Sequence, residues 1–174
     1  MWVFGYGSLL WNPGFEYEEK SIATLPGWHR SFCMRSIHHR GTVDSPGLVL
    51  ALDELAGATC QGLALSVTPE RREATLDYLR ERELISSAYL EKKLPVTLAD
   101  GREVVAVTYV IDPHHVQYCH LDVEEQAQII AEAVGGRGPN TEYLHNTASH
   151  LGELGITDPE LDWLSQRVRE LTTV

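Results

Sequence analysis

The stretch Met1-Trp2-Val3-Phe4-Gly5-Tyr6-Gly7-Ser8-Leu9-Leu10-Trp11-Asn12-Pro13-Gly14 begins with an apolar run. It then breaks twice, at a glycine-flanked tyrosine and at Asn12-Pro13-Gly14. Met1 to Phe4 reads as a buried strand whose end is forced into a sharp turn. Working outward, the segments Ile22 to Met34, Gly47 to Leu52 and Thr59 to Val67 carry strand-like apolar content, and Val104 to Ile111 is rich in β-branched residues. Between the last two lies a helix with clear start signals: Thr68 as N-cap, Pro69 at the first helical position, and Glu70 at the positive end of the dipole. The C-terminal third reads as three helices. Asp122 caps the first, with Val123, Ala127, Ile130 and Val134 at helical spacing and Gly135-Gly136 as its stop. Asn140 caps the second, through Tyr143, Leu144, Ala148 and Leu151 to near Gly155, and Asp158-Pro159 opens the third, with Leu161, Leu164, Val168 and Leu171 on one stripe. Strands, one inserted helix, more strands and then helices do not alternate as in a doubly wound sheet. The expectation is an α+β fold, a mixed curved or barrel-like sheet flanked by helices.

The chain has 174 residues, which predicts one domain over 1–174, and its 43% apolar content excludes disorder. The net charge of −11 argues against nucleic acid and against an anionic membrane surface as partners. Cys33, Cys60 and Cys119 lack C-x-x-C spacing and are too few for a disulfide framework, which fits a reducing compartment. The N-terminal apolar run has no basic flank and is too short to span a bilayer. The expectation is a soluble cytoplasmic protein.

Two features carry candidate chemistry. Glycines at 5 and 7 permit positive φ and close backbone approach, and successive N–H groups in such a turn can converge on an anionic oxygen. A plain strand end with tight turns explains the same residues. A dinucleotide-binding loop does not, because Leu10 stands where its third glycine belongs, and no Lys-Ser/Thr pair follows for a P-loop. The second feature is Glu83. At about 100° per residue, Leu76, Leu79 and Glu83 fall within about 60° of one another, while Glu81 points to roughly the opposite side. A carboxylate in line with an apolar stripe has its pKa raised toward values useful for proton transfer. Were the helix to end at Arg82, Glu83 would instead be an exposed cap. His38-His39, His114-His115 and Cys119-His120 lack metal-ligand spacing, so no metal site is expected. Arg30, Arg35 and Arg40 gather cations that suit a substrate carboxylate or ordinary surface pairing.

Four segments in order resemble the ChaC-type γ-glutamylcyclotransferases, which degrade glutathione. They are Val3-Phe4-Gly5-Tyr6-Gly7-Ser8-Leu9, His39-Arg40-Gly41, Arg82-Glu83 at a helix end, and Gly138-Pro139-Asn140-Thr141-Glu142-Tyr143-Leu144. Two departures are Glu81, where the family pattern has an aromatic, and Leu84 to Tyr89, longer and less glycine-rich than the family's continuation. The resemblance implies the γ-glutamylcyclotransferase-like fold and a small-molecule substrate, glutathione or a related γ-glutamyl peptide. Its α-amine attacks its own γ-carbonyl, giving 5-oxoproline and Cys-Gly with no cofactor and no metal. It implies Glu83 as general acid/base and Val3, Phe4, Gly5, Tyr6, Gly7, Ser8 and Leu9 as the substrate-binding loop. Arg40 would pair with a substrate carboxylate, and Asn140 and Tyr143 would close the pocket. Other γ-glutamyl amino acids or amines as substrates, and a non-catalytic binding module, are the alternatives.

Overall fold

The computed structural model describes residues 1–84 and 87–173. The N-terminal run forms β1 (Trp2–Gly5), and a 3₁₀ turn at Ser8–Leu10 follows the glycines. Next come β2 (Glu19–Ser36), β3 (Gly47–Ser66), α1 (Arg72–Glu83), β4 (Tyr89–Leu98) and β5 (Glu103–Ile111). The five strands close into a barrel in the order β1-β3-β2-β4-β5. β1 runs antiparallel to β3, with Val3 opposite Leu65, and parallel to β5, with Val3 opposite Val107. The rest of the chain is α2 (Val123–Glu132), a small hairpin of β6 (Val134–Gly135) and β7 (Gly138–Pro139), α3 (Asn140–Glu153) and α4 (Pro159–Thr172).

The chain divides into two compact units. The first holds Met1–Ser31 and Ala51–Val116; the second holds Phe32–Leu50 and the chain from Gln117 onward, so β2 and β3 each run from one unit into the other. In the first unit Val3, Leu9, Val67, Leu79, Val107 and Tyr109 form one buried cluster, with Leu76 and Leu84 packed against it. α1 therefore sits on the barrel through the stripe that its sequence spacing indicates. In the second unit Leu144, Leu151, Leu161, Leu164 and Val168 are buried on the inner faces of α3 and α4.

Several sequence expectations change. Gly47 to Leu52 and Thr59 to Val67 are not two strands but one, because the exposed stretch Glu54–Gly57 continues the pleat, with Gly57 at φ 84° as a local kink. β4 is a strand that the sequence conceals behind Glu91, Lys92, Lys93 and Pro95; it pairs with β5 from Tyr89↔Ile111 to Thr97↔Glu103. Thr68 makes no side-chain cap bond, since a 3₁₀ turn at Pro69–Arg71 precedes α1. α2 stops at Glu132 because Ala133 is extended, so Val134 leaves the helical stripe for β6. Asp122 and Asp158 do cap their helices, accepting from Glu125 N–H at 2.9 Å and Leu161 N–H at 3.1 Å.

Candidate active site

The turn after β1 is built by close approach rather than by positive φ. Neither Gly5 nor Gly7 lies in the left-handed region; Gly7 has φ −138° and ψ −118°. A Cβ on Gly5 would stand 2.7 Å from the Leu9 Cβ, so only glycine lets the 3₁₀ turn fold back on β1. The first backbone bonds of that turn are Leu10 N–H to Gly7 O at 2.9 Å, Trp11 N–H to Ser8 O at 3.3 Å and Asn12 N–H to Ser8 O at 2.8 Å. The N–H groups of Gly7, Ser8 and Leu9 precede them, as at any helical start.

The side chains of the turn are already oriented. Val3 and Phe4 are wholly buried and Leu9 nearly so, so whatever they give a ligand comes through the backbone. The Tyr6 hydroxyl donates to Tyr109 O at 2.6 Å and can therefore only accept from a ligand, while Arg30 Nε donates to Tyr6 O at 2.8 Å. Ser8 is the reverse: its Oγ accepts from Arg82 Nη2 at 2.9 Å, which leaves its own hydrogen to donate.

Glu83 is the last residue of α1, and its side chain retains 16% exposure. Burial pushes its carboxyl above the ordinary glutamate value, and Arg82, with Nε 3.4 Å from Oε1, offsets part of that rise. Glu81, two residues away, is exposed. The charge of Glu83 is felt at the Tyr109 hydroxyl, which burial and its bond to Glu91 hold as a neutral phenol. That hydroxyl donates to Glu91 Oε1 at 2.8 Å, and Arg80 grips the same carboxylate from Nε at 2.9 Å and Nη2 at 3.1 Å. The guanidinium beside it holds Glu91 below the usual carboxylate range. The sequence reading missed Arg80, Glu91 and Tyr109; the signal within reach was Arg80, one turn before Glu83. The stretch beyond α1 where the family's pocket wall was expected includes Ile85 and Ser86, which lie outside the described residues.

Arg40, Asn140 and Tyr143 come together in the second unit. Arg40 is 6% exposed; its Nη1 donates to Pro139 O at 3.1 Å and to Glu142 Oε1 at 3.5 Å, and its guanidinium lies 5.7 Å from the Tyr143 ring centroid. Asn140 is the first residue of α3 rather than its cap, because its amide is used elsewhere. Oδ1 accepts from Leu48 N–H and Nδ2 donates to Leu48 O, both at 2.8 Å, as a third strand would. The Tyr143 hydroxyl accepts from Leu50 N–H at 3.1 Å. Gly136 and Arg137 donate to the carbonyls of His38 and His39 at 2.7 and 2.9 Å, docking the β6–β7 hairpin on the basic turn. Cys33, Cys60 and Cys119 are buried and not joined in disulfides. Among the described residues no helix is long and apolar enough to cross a membrane.

Residues 1–171 match the family described as ChaC-like protein. The chain is 41% identical over 173 residues to the glutathione-specific γ-glutamylcyclotransferase of Escherichia coli strain K12, covering 98% of this chain and 74% of that one. It is 32% identical to γ-glutamylcyclotransferase 2-3 of Arabidopsis thaliana, over 98% of this chain and 89% of the relative. Among solved structures, a yeast γ-glutamyl cyclotransferase specific to glutathione superposes with a TM-score of 0.88 at 24% identity, covering 98% of this chain and 96% of that one. The barrel with its terminal helices is thus the γ-glutamylcyclotransferase fold, and the chain belongs to the ChaC-like family.

Proposed function

We propose that this protein is a glutathione-specific γ-glutamylcyclotransferase that releases 5-oxoproline and Cys-Gly, with Glu83 as its general acid/base. The observation that carries the reading is the mostly buried Glu83 carboxyl, with a raised pKa, on the same guanidinium that holds Ser8 of the glycine turn. Relatives named as glutathione-specific, from Escherichia coli and from Schizosaccharomyces pombe at 33% identity, support glutathione as the substrate.

The chemistry needs no second substrate. At neutral pH the α-ammonium of the γ-glutamyl group is mostly protonated and cannot attack. The Glu83 carboxylate takes a proton from it, the freed amine adds to the γ-carbonyl carbon, and a five-membered ring closes. The carboxylic acid then returns a proton to the departing nitrogen as its bond to the γ-carbon breaks. Two protons leave the attacking nitrogen, one as it is freed for attack and one from the ring nitrogen after it has added. Both end on the departing nitrogen, which leaves as an ammonium, so the balance closes without a co-reactant. Because nucleophile and electrophile share one molecule, orientation supplies much of the acceleration, with effective molarities on the order of 10⁵–10⁸ M for well-aligned intramolecular attack. N–H groups of Gly5 to Leu9, with the Ser8 hydroxyl, are the proposed donors to the γ-glutamyl unit, either at its α-carboxylate or at the oxyanion forming on the γ-carbonyl. Tyr6 is a proposed acceptor. In the second unit, Arg40 is the proposed partner for a carboxylate. The net charge of −11 repels an anionic substrate at long range, but screening over about 8 Å leaves binding to local donors.

Purified protein incubated with glutathione or with γ-glutamyl-alanine, with 5-oxoproline as the readout, tests the substrate. Faster release from glutathione is expected; faster release from γ-glutamyl-alanine would replace glutathione as the substrate, and none from either would remove the activity.

A further inference from the structure

Arg82 makes more contacts than an ion-pair partner of Glu83 needs. Its Nη1 donates to Asn12 O at 2.6 Å, Pro13 O at 3.1 Å and the Tyr78 hydroxyl at 3.2 Å, while Nη2 donates to Ser8 Oγ at 2.9 Å. Its Nε faces Glu83 Oε1 at 3.4 Å. One planar group thus touches both ends of the 3₁₀ turn and the carboxylate at the end of α1. The next turn of chain is docked on the same helix. Phe15 meets Tyr78 edge-on at 6.5 Å, and Gly14, at φ 75°, has no Cβ because one there would run into the Tyr78 hydroxyl. Arg80, some 200° around the helix from Arg82, anchors the opposite side to Glu91 of β4. The end of α1 is therefore held from two directions, and on the Arg82 side the guanidinium bonds directly to Ser8 of the glycine turn.

We propose that Arg82 is a positioning residue for the cyclisation: its guanidinium fixes the spacing between the Ser8 turn, which orients the substrate, and the Glu83 carboxylate, which moves the proton. The proposal rests on the reading of Glu83 as acid/base. Lysine cannot replace this function, since an ammonium has the charge but not the fork that spans Ser8, Asn12 and Glu83. Intramolecular attack is sensitive to such spacing, because a displacement of about 1 Å costs on the order of 100-fold in rate. The charge has a second, separable effect. Among the described residues, the charged and titratable groups that act on Glu83 or feel its charge are Arg82 on α1 and the Tyr109 hydroxyl on β5, the latter joined to Glu91 of β4 and Arg80 of α1. Arg82 lowers the proton affinity that burial raises. Removing its charge moves the acidic limb of kcat/KM to higher pH, whereas removing only its fork does not.

The test compares Arg82→Lys, Arg82→Gln and Glu83→Gln with wild type, by the pH dependence of 5-oxoproline release and by amide hydrogen exchange at Leu10 and Asn12. Arg82→Lys is expected to lose about 10- to 100-fold in kcat with little change in KM and with its acidic limb in place. Arg82→Gln loses at least as much and shifts that limb upward, and in both variants the Leu10 and Asn12 amides exchange faster. Wild-type kcat and unchanged exchange in both Arg82 variants, with Glu83→Gln inactive, would overturn the proposal and leave the acid/base reading standing. Full activity in Glu83→Gln would remove that reading instead. The exchange data would then decide the spacing role alone, with unchanged rates sinking it.

Discussion

The end of α1 and the start of α3 both withdraw polar groups from water, and they satisfy them to different degrees. At α3 the Asn140 amide has its oxygen and its nitrogen bonded to the backbone of one residue, Leu48, at 2.8 Å each. Beside it, Arg40 is matched by a carbonyl, a carboxylate and a ring face. At α1 the Glu83 carboxylate faces a guanidinium at 3.4 Å that already serves Ser8, Asn12 and Pro13. A buried amide bonded through both its oxygen and its nitrogen, as that of Asn140 is, acts as framework, since each bond specifies a position. A buried charge with a shared partner keeps a shifted proton affinity, which is the property that acid/base chemistry uses.

Breaking the framework side has the largest expected effect on stability. Asn140→Ala leaves the Leu48 N–H and C=O unsatisfied and lowers stability by roughly 2–4 kcal/mol, read by denaturant unfolding. Gly5→Ala comes next: its Cβ would press on the Leu9 Cβ at 2.7 Å, so the turn shifts at a cost of about 1–3 kcal/mol, with a matching fall in turnover. Glu83→Gln changes stability in the opposite sense. The raised native pKa means that the folded state binds the Glu83 proton more tightly than the unfolded chain does. The resulting stabilisation is present below the unfolded pKa and lost as pH rises through the native value. Near neutral pH the glutamine variant is therefore expected to melt above wild type, and a lower melting temperature there would count against a strained carboxylate. The smallest effect belongs to Glu81→Gln, whose exposed side chain is expected to change stability by less than about 0.5 kcal/mol and turnover hardly at all. A large loss at Glu81 would mean that the chemistry faces the other side of α1.

The same contrast governs what could be read from the sequence. The shelter of Glu83 follows from its spacing to Leu76 and Leu79, because helical periodicity is local. The link from Arg82 to Ser8 and Asn12 crosses some seventy residues, and no local pattern encodes it. Asn140 looks like a cap on the same sequence signal that correctly marks Asp122 and Asp158; only the approach of Leu48 diverts its amide. β4 is hidden by Lys92, Lys93 and Pro95, and its register along β5 makes it a strand. Pro95 lies away from Thr97 and Leu98, the positions where β4 pairs with β2. An α+β fold with a curved or barrel-like sheet is legible from the order of the elements, since strands interrupted by one helix do not alternate as in a doubly wound sheet. Closure of the barrel needs β4 and is not legible there.

The most direct test of the central claim is the rate of 5-oxoproline release from glutathione by wild type and Glu83→Gln across the acid range, with both folds checked by melting. The account predicts a wild-type profile with an acidic limb above the ordinary glutamate value and a folded variant slower by about 10²- to 10⁴-fold at every pH. A folded variant that keeps the wild-type rate and the same limb would contradict it.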